Sequence, residues 1–329
     1  MRLARRAGLG YSDKDMRKLV RIGGGSGGYT MLRALKERPF SVTAVVNMFD
    51  SGGSSGVLRD ELGILPPGDI RRALAALADG DKGEILRELF NYRFDEGGSV
   101  NGHSFGNLFL AALSAIYGSD IDAIRKASTL LHLRGTVLPV SLDASHLHAV
   151  LADGTEIVGE TNIDIPRHDG SIAIKRVFLD PPARAFEETL DAIRDADIIV
   201  MGPGDLYTSI IPNLLVSGVA SALRESTAKK GVICNLMTKW GETHGFVASD
   251  MLRELSAYSG IGMFDFAICN TGSAPGHILE RYAAEHQFPM VCDEQVRRYA
   301  KTVITDNLLS KADIARHDAE RIADILETL

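Results

Sequence analysis

The stretch from Lys18 to Asp69 reads KLVRIGGGSGGYTMLRALKERPFSVTAVVNMFDSGGSSGVLRDELGILPPGD, and the fold turns on it. A short apolar run, Leu19 to Ile22, enters a turn of five glycines, Gly23 to Gly28, broken only by Ser26. A helical pattern with Leu32 and Leu35 follows, and then a β-branched run, Val42 to Val46. That run opens into a second glycine- and serine-rich turn, Asp50 to Gly56. The order is strand, glycine turn, helix, strand, glycine turn. Open α/β sheets bind ligands where parallel strands end. Glycine allows close backbone approach, and the N–H groups that start the next helix favour an anion. Gly24, Gly25, Ser26 and Gly27 in the first turn, and Gly53 and Ser54 in the second, are therefore candidate contacts to a phosphorylated small molecule.

Two other motifs fit less well. Gly23, Gly25 and Gly28 match G-x-G-x-x-G, with Asp50 about 20 residues further on, as in a dinucleotide site. A ribose-binding acid should end the second strand, yet Asn47, Met48 and Phe49 intervene and Asp50 opens a new turn. Neither turn is followed by the Gly-Lys-Ser/Thr of a Walker loop.

Working outward, Asp69 after Pro66-Pro67-Gly68 reads as the N-cap of a helix with Ile70, Ala73, Leu74 and Leu77 on one face. Arg71 and Arg72 fall in its first turn, where cations oppose the helix dipole unless an anion is near. Ser104 should cap a further helix along Phe105, Leu108, Phe109 and Ala112, placing His103 and Asn107 at a third candidate anion site. Residues 136–180 read as short strands with a turn at Asp153-Gly154, a small antiparallel extension. The α/β rhythm returns with the strand Asp197 to Met201, which enters Gly202, Pro203, Gly204, Asp205, Leu206, Tyr207, Thr208 and Ser209. Further strands end near Asn235 and Asn270. Helices are expected at 249–258, 276–286 and 317–328. The whole predicts an α/β fold with a doubly wound, mainly parallel, Rossmann-like sheet and the antiparallel extension at 136–180. Residues 1–17 read as a mobile basic extension, and 18–329 as one domain.

Of 329 residues, 43 are acidic and 36 basic, a net charge of −7, so no broad basic footprint for nucleic acid exists. An anionic ligand must be held by backbone N–H groups and a few arginines. The three cysteines, Cys234, Cys269 and Cys292, lack metal-like spacing and read as core residues. Their odd number, with no signal-like or membrane-spanning run, predicts a cytoplasmic protein without a membrane partner. A homo-oligomer is the expected state.

Several of these motifs together resemble the YvcK/CofD-like proteins. They are GGGSGGYTMLRAL, SGGSSGVLRDELGILPPGDIRRAL, GHSFGNLFLAAL, GPGDLYTSIIPNLLVSGV, CNLMT followed by GET, and Arg316-His317-Asp318. One branch of that family is the gluconeogenesis-factor group (YvcK, also GlmR), and the other is 2-phospho-L-lactate transferase of coenzyme F420 synthesis. LGILPPGDIR and the late RHD motif resemble the first branch. The resemblance implies binding of a UDP-sugar, notably UDP-N-acetylglucosamine, or another phosphorylated nucleotide. It implies a regulator without turnover or required cofactor that links carbon metabolism to cell-wall precursor supply, with an enzyme of amino-sugar synthesis as partner. The turns at Gly23 to Gly28 and Gly202 to Ser209 would hold the diphosphate or ribose, with Gly202, Gly204, Tyr207 and Thr208 in contact. Asn235 or Asn270 would read the uracil edge, Tyr282 would stack on the ligand, and Arg316 would pair with a phosphate.

The transferase branch implies instead a guanine-nucleotide donor, Mg²⁺ and a deazaflavin acceptor. Asp50 and Asp69 would then hold the metal, and Arg59, Arg71 or His103 would balance phosphate charge. The chain departs from the family pattern in two places. The second turn usually reads Asp-Asp-Gly-Gly-Ser-Ser-Gly, and here Ser51 stands at the second position. The later segment usually reads Met-Thr-Gln-Pro-Gly-Glu-Thr-Asp-Gly; here Lys239 and Trp240 replace Gln-Pro, and His244 replaces the Asp. Both changes weaken the case for a metal more than the case for a nucleotide.

Overall fold

A computed structural model describes residues 16–329, except the side chains of 26 and 80–83. Among the described residues, ten strands form two sheets. The strands are β1 (Arg17–Ile22), β2 (Phe40–Val46), β3 (Thr136–Pro139), β4 (His146–Leu151), β5 (Glu156–Val158), β6 (Ile174–Asp180), β7 (Ile198–Met201), β8 (Lys229–Ile233), β9 (Phe264–Asn270) and β10 (Ala300–Asp306). Seven of them make a wholly parallel sheet in the order β10-β9-β8-β7-β1-β2-β3. The remaining three make the antiparallel sheet β5-β4-β6. Chain order reverses between β1 and β7, which is the switch point of a doubly wound sheet.

Alternation along the strands builds two cores. Val20, Ile22, Ile199 and Met201 face one side, where the small sheet and the helix Ala248–Ser259 pack. Leu19, Ile198 and Val200 face the other, against α1 (Gly25–Leu35), α3 (Gly68–Leu77) and the C-terminal helix Ala319–Thr328. Both faces are covered, so the central strands are near-continuous apolar runs. Each fully buried Leu or Ile contributes roughly 1.5–3 kcal/mol.

Between α1 and α3, α2 (Gly53–Leu62) begins inside the second glycine turn. Next come α4 (Gly80–Asn91), α5 (Phe105–Tyr117), α6 (Asp120–Leu130) and α7 (Glu160–Asp164), the last placed after β5. No described helix is long and apolar enough to cross a membrane.

Three expectations shift. β1 begins at Arg17, whose guanidinium reaches the Glu327 carbonyl at 2.7 Å and lies over the Phe40 ring, so that residue belongs to the sheet. Residues 1–15 of the expected extension lie outside the described residues. Asp69 is not an N-cap: α3 starts at Gly68 after Pro67, and no side chain caps it. β10, an edge strand with several exposed positions, carries too weak an apolar alternation to be read in advance.

Candidate functional site

The two turns at the switch point are joined by one side chain. Arg21, the last residue but one of β1, is fully buried. Its Nη1 donates to the Gly23 carbonyl at 2.7 Å, and its Nη2 to the carbonyls of Gly24 at 2.9 Å and Pro203 at 2.8 Å. Burial lowers its pKa, while Tyr29 and Asp69 act in the opposite sense. Asn235 fastens the β7 turn from the other side: its Nδ2 donates to Gly204 O at 2.9 Å and its Oδ1 accepts from Gly204 N at 3.3 Å. The Gly202–Pro203 peptide is cis.

Two cavities open on this frame, and Gly25 and Asp205 border both. The first, of 340 Å³, runs from Gly27 and Pro203 past Asn235 and Lys239 to Tyr282 and Arg316. Among the described residues Arg316 has no carboxylate partner. Asp313 faces His277, and Asp318 accepts from Arg321 N, so neither neighbouring acid holds it. Arg316 also borders a groove of 670 Å³ against α1. Its neighbour His317 is buried and its Nε2 lies 3.1 Å from the Cys234 carbonyl; burial pushes that imidazole down to about 4.

The second cavity, of 560 Å³, takes in Asp50, Gly53, Ser54, Gly68, Asp69, Arg72, Asn107, Glu160, Asp164 and Thr208. The starts of α1, α2 and α3 all reach it, and no side chain caps any of the three. Their first-turn N–H groups supply partial positive charge. Carboxylates crowd the opposite wall. Burial raises Asp69, with Arg72 at 3.5 Å pulling the other way. Burial also pushes Glu160 up to about 9, and Asp50, Asp164 and Asp69 reinforce this.

Against this geometry, comparison with known proteins is decisive. The family profile described as 2-phospho-L-lactate transferase CofD matches residues 19–309. The gluconeogenesis factor of Halalkalibacterium halodurans is 42% identical over 313 residues, covering 94% of this chain and 95% of that protein. The gluconeogenesis factor of Bacillus subtilis is 42% identical over 315 residues, covering 95% of this chain and 98% of that one. A crystal structure of a Bacillus halodurans protein superposes with a TM-score of 0.89 at 40% identity, covering 94% of this chain and 99% of that one.

The chain belongs to the CofD-like family, on its gluconeogenesis-factor (YvcK) branch. In this family frame, the residues singled out from the motifs divide into groups. Gly25, Gly27, Gly204, Asn235, Tyr282 and Arg316 line the first cavity. Gly53, Ser54, Asp50, Asp69, Arg71, Asn107 and Thr208 line the second. Gly24 is buried behind the cavity wall, where a Cβ would fall 2.1 Å from Asp69 Oδ2. The Ser26 side chain lies outside the described residues.

Several residues, Arg71 and Asn107 of the second cavity among them, are engaged otherwise than expected. Arg71 is buried, and its Nη1 is held by the Phe90 carbonyl at 3.0 Å and Asn91 Oδ1 at 2.8 Å, so its guanidinium is already engaged by the protein. Ser104 caps the third helix start as its pattern predicts, its Oγ accepting from Asn107 N. His103 Nδ1 and Asn107 Nδ2 each lie 3.0 Å from Ser54 Oγ, bracing α2 against α5. Tyr207 lines neither cavity. Residues 206–210 form a wide helical turn with Ile210 N bonded to Asp205 O, which turns the phenol into the core near Phe246. Gly202 lines neither cavity; at φ +86° it needs the left-handed region, and a Cβ there would meet the Ile233 carbonyl at 2.8 Å. The Asn270 amide is spent on Gly272 and on Leu308 N, and it borders neither cavity.

Motif reading missed Arg21, Asn47, Glu160 and Asp164. Arg21 did leave a signal, since an arginine inside the buried run LVRI must find partners. Asn47 gave little: its Nδ2 reaches Asp69 and the Thr208 carbonyl, contacts that only the assembled sheet creates.

Proposed function

We propose that this protein binds a UDP-sugar, UDP-N-acetylglucosamine foremost, across the two cavities, and acts without turnover. In this reading it is a regulator that links carbon metabolism to cell-wall precursor supply through an enzyme of amino-sugar synthesis. The observation that carries the proposal is the meeting of the two cavities at Gly25 and Asp205, on the switch point of the sheet. A ligand with a central diphosphate would lie across that seam on the α1 N-terminus. Its nucleoside would extend toward Asn235, Tyr282 and Arg316. Its sugar hydroxyls would meet the carboxylates of the second cavity.

The 2-phospho-L-lactate transferase reading draws on the matching family profile and on those same carboxylates. Asp50 and Asp69 would hold its Mg²⁺ at the second cavity, with Ser51 supplying no second carboxylate on that turn. Asp50 Oδ1 accepts from Gly52 N at 2.9 Å, and Ser51 Oγ is engaged by Thr161 N and Oγ1. Among the described residues, the one group of three acids with oxygens close enough to share a metal is already in contact with Lys239 Nζ.

Calorimetry and thermal unfolding with UDP-N-acetylglucosamine, UDP-glucose, GDP, NAD and a deazaflavin test the proposal. A ligand at about 100 times its Kd adds roughly 2.7 kcal/mol of stability. UDP-sugars should stabilise most. Equal or greater stabilisation by GDP would transfer the case to the transferase.

A further inference from the structure

At the seam between the two cavities, carboxylates from three separate segments face one another. Asp164 ends α7, Asp205 leads into the wide turn after β7, and Glu242 stands on the loop after β8. Their oxygens lie within 4.8 Å of one another. Lys239 Nζ touches all three: it pairs with Asp164, lies 3.0 Å from Asp205 and lies 3.3 Å from Glu242. From this arrangement we infer that the Lys239 ammonium is a built-in counterion, standing where a divalent cation would otherwise be needed, and that it holds the seam together without metal.

Several observations converge on this. The Glu242 side chain is fully buried, and it accepts from Tyr207 N at 2.9 Å and Thr208 Oγ1 at 3.0 Å. It thereby fixes the wide turn that lines the second cavity. Those donors need an acceptor, whereas burial favours the protonated acid, so a nearby cation keeps the arrangement intact. Lys239 is itself fixed in place. Its N–H donates to Thr243 Oγ1 at 2.9 Å, and its carbonyl accepts from the N–H groups of Glu242 and Thr243. The ammonium is therefore delivered by a tight local turn rather than by a free surface chain. Burial acts to lower the Lys239 pKa, but the three carboxylates outweigh it and hold the amine charged.

Three carboxylates left without Lys239 would form an all-oxygen set suited to a hard divalent ion such as Mn²⁺ or Mg²⁺. Replacing the lysine should convert a metal-free seam into a metal-dependent one. This deepens the proposed reading, because the wall shared by both cavities would then need no metal for ligand binding. It depends on that reading only for the ligand, since metal binding is measured without nucleotide.

The test compares the full chain with Lys239→Met, using loss of the free Mn²⁺ EPR signal and thermal unfolding with and without Mn²⁺. Lys239→Met should bind one more Mn²⁺ than wild type, at least tenfold tighter than any wild-type site. Its lowered Tm should recover with Mn²⁺, and Asp205→Asn in that background should abolish both effects. No added Mn²⁺ binding, or a Tm that ignores the metal, overturns the inference. So does wild-type Mn²⁺ binding that Asp205→Asn removes. Should Lys239→Met fail to fold at any Mn²⁺ concentration, Lys239→Met combined with Glu242→Gln decides. Recovery of folding supports charge imbalance as the fault, and continued failure assigns the lysine a packing role and overturns the proposal. Calorimetry of wild type with UDP-N-acetylglucosamine in EDTA forms a separate arm: no binding with or without metal, beside the expected Mn²⁺ results, faults the ligand reading and leaves the lysine's role intact.

Discussion

A Cβ placed on Gly28 would fall 1.6 Å from Nη2 of Arg21. The last glycine of the first turn thus makes room for the protein's own guanidinium, and Gly24 does the same for the Asp69 carboxylate. Part of this glycine-rich sequence serves internal packing around a buried charge, while Gly25 and Gly27 border the candidate cavities.

Gly28→Ala should therefore act through Arg21. The displaced guanidinium would lose its grip on the carbonyls of Gly24 and Pro203, and hydrogen bonds to a charged group are worth about 1.5–3 kcal/mol each. A fall of about 3–6 kcal/mol in unfolding free energy is expected from urea denaturation, together with a loss of UDP-sugar affinity. A variant with wild-type stability would mean that Arg21 has another place to go.

Arg316→Ala should leave stability almost unchanged, because no carboxylate among the described residues holds that side chain. UDP-sugar affinity should fall by about 1.5–3 kcal/mol, or ten- to more than a hundredfold in Kd. Calorimetry and thermal unfolding on the same variant check both halves. Unchanged affinity for every UDP-sugar tried would remove Arg316 from the site.

His317 makes stability depend on acid. Its folded pKa, about 4, lies below the ordinary 6.5, so the unfolded chain binds the extra proton between those values. The neutral, buried imidazole should favour the fold fully above pH 6.5, and this contribution should be lost as pH falls toward 4. The loss amounts to about 2–3 kcal/mol. His317→Gln, which does not titrate, should flatten this part of the pH–stability curve. An equally steep curve in the variant would assign the acid sensitivity elsewhere.

Glu160 should act at the other end of the scale. Its folded pKa, about 9, lies above the ordinary 4.5, so the folded state holds the extra proton between them. Its favourable contribution is complete below pH 4.5 and is lost as pH rises through 9. Glu160→Gln mimics the protonated acid, so it should match wild type near pH 5 and be the more stable of the two at pH 9.5. Parallel Tm–pH profiles for the two proteins would contradict this.

The parts of the molecule that could be read in advance are those that local pattern encodes. The runs Leu19 to Ile22 and Ile198 to Met201 announce buried parallel strands, and the glycines after them announce the ligand end of the sheet. Asp153-Gly154 marks its hairpin for the same reason. Side-chain destinations are a different matter. Asp69 looks like a cap because Pro66-Pro67-Gly68 precedes it, yet its carboxylate is drawn toward Asn47. Tyr207 sits among glycines and hydroxyls, yet one wide turn rotates it into the core. Asn235 and Asn270 both end strands, but only the first lines a cavity. Lys239 finds its acid partners on three different segments. Such pairings are settled by tertiary assembly, and no local period records them.

The pairing of β1 with β7 sets Leu19 opposite Ile198, and Arg21 reaches a carbonyl 182 residues away. A nascent chain therefore carries its first glycine turn for most of its synthesis without the loop that completes it. At about 5–20 residues per second, the wait before β7 emerges is roughly 10–40 seconds. During that time Arg21 has no native partner for its third hydrogen bond, and β1 has one bare edge. The candidate site is thus a late product of translation. The proposed ligand would stabilise the finished protein, but it would find no completed cradle through which to guide the early steps of folding.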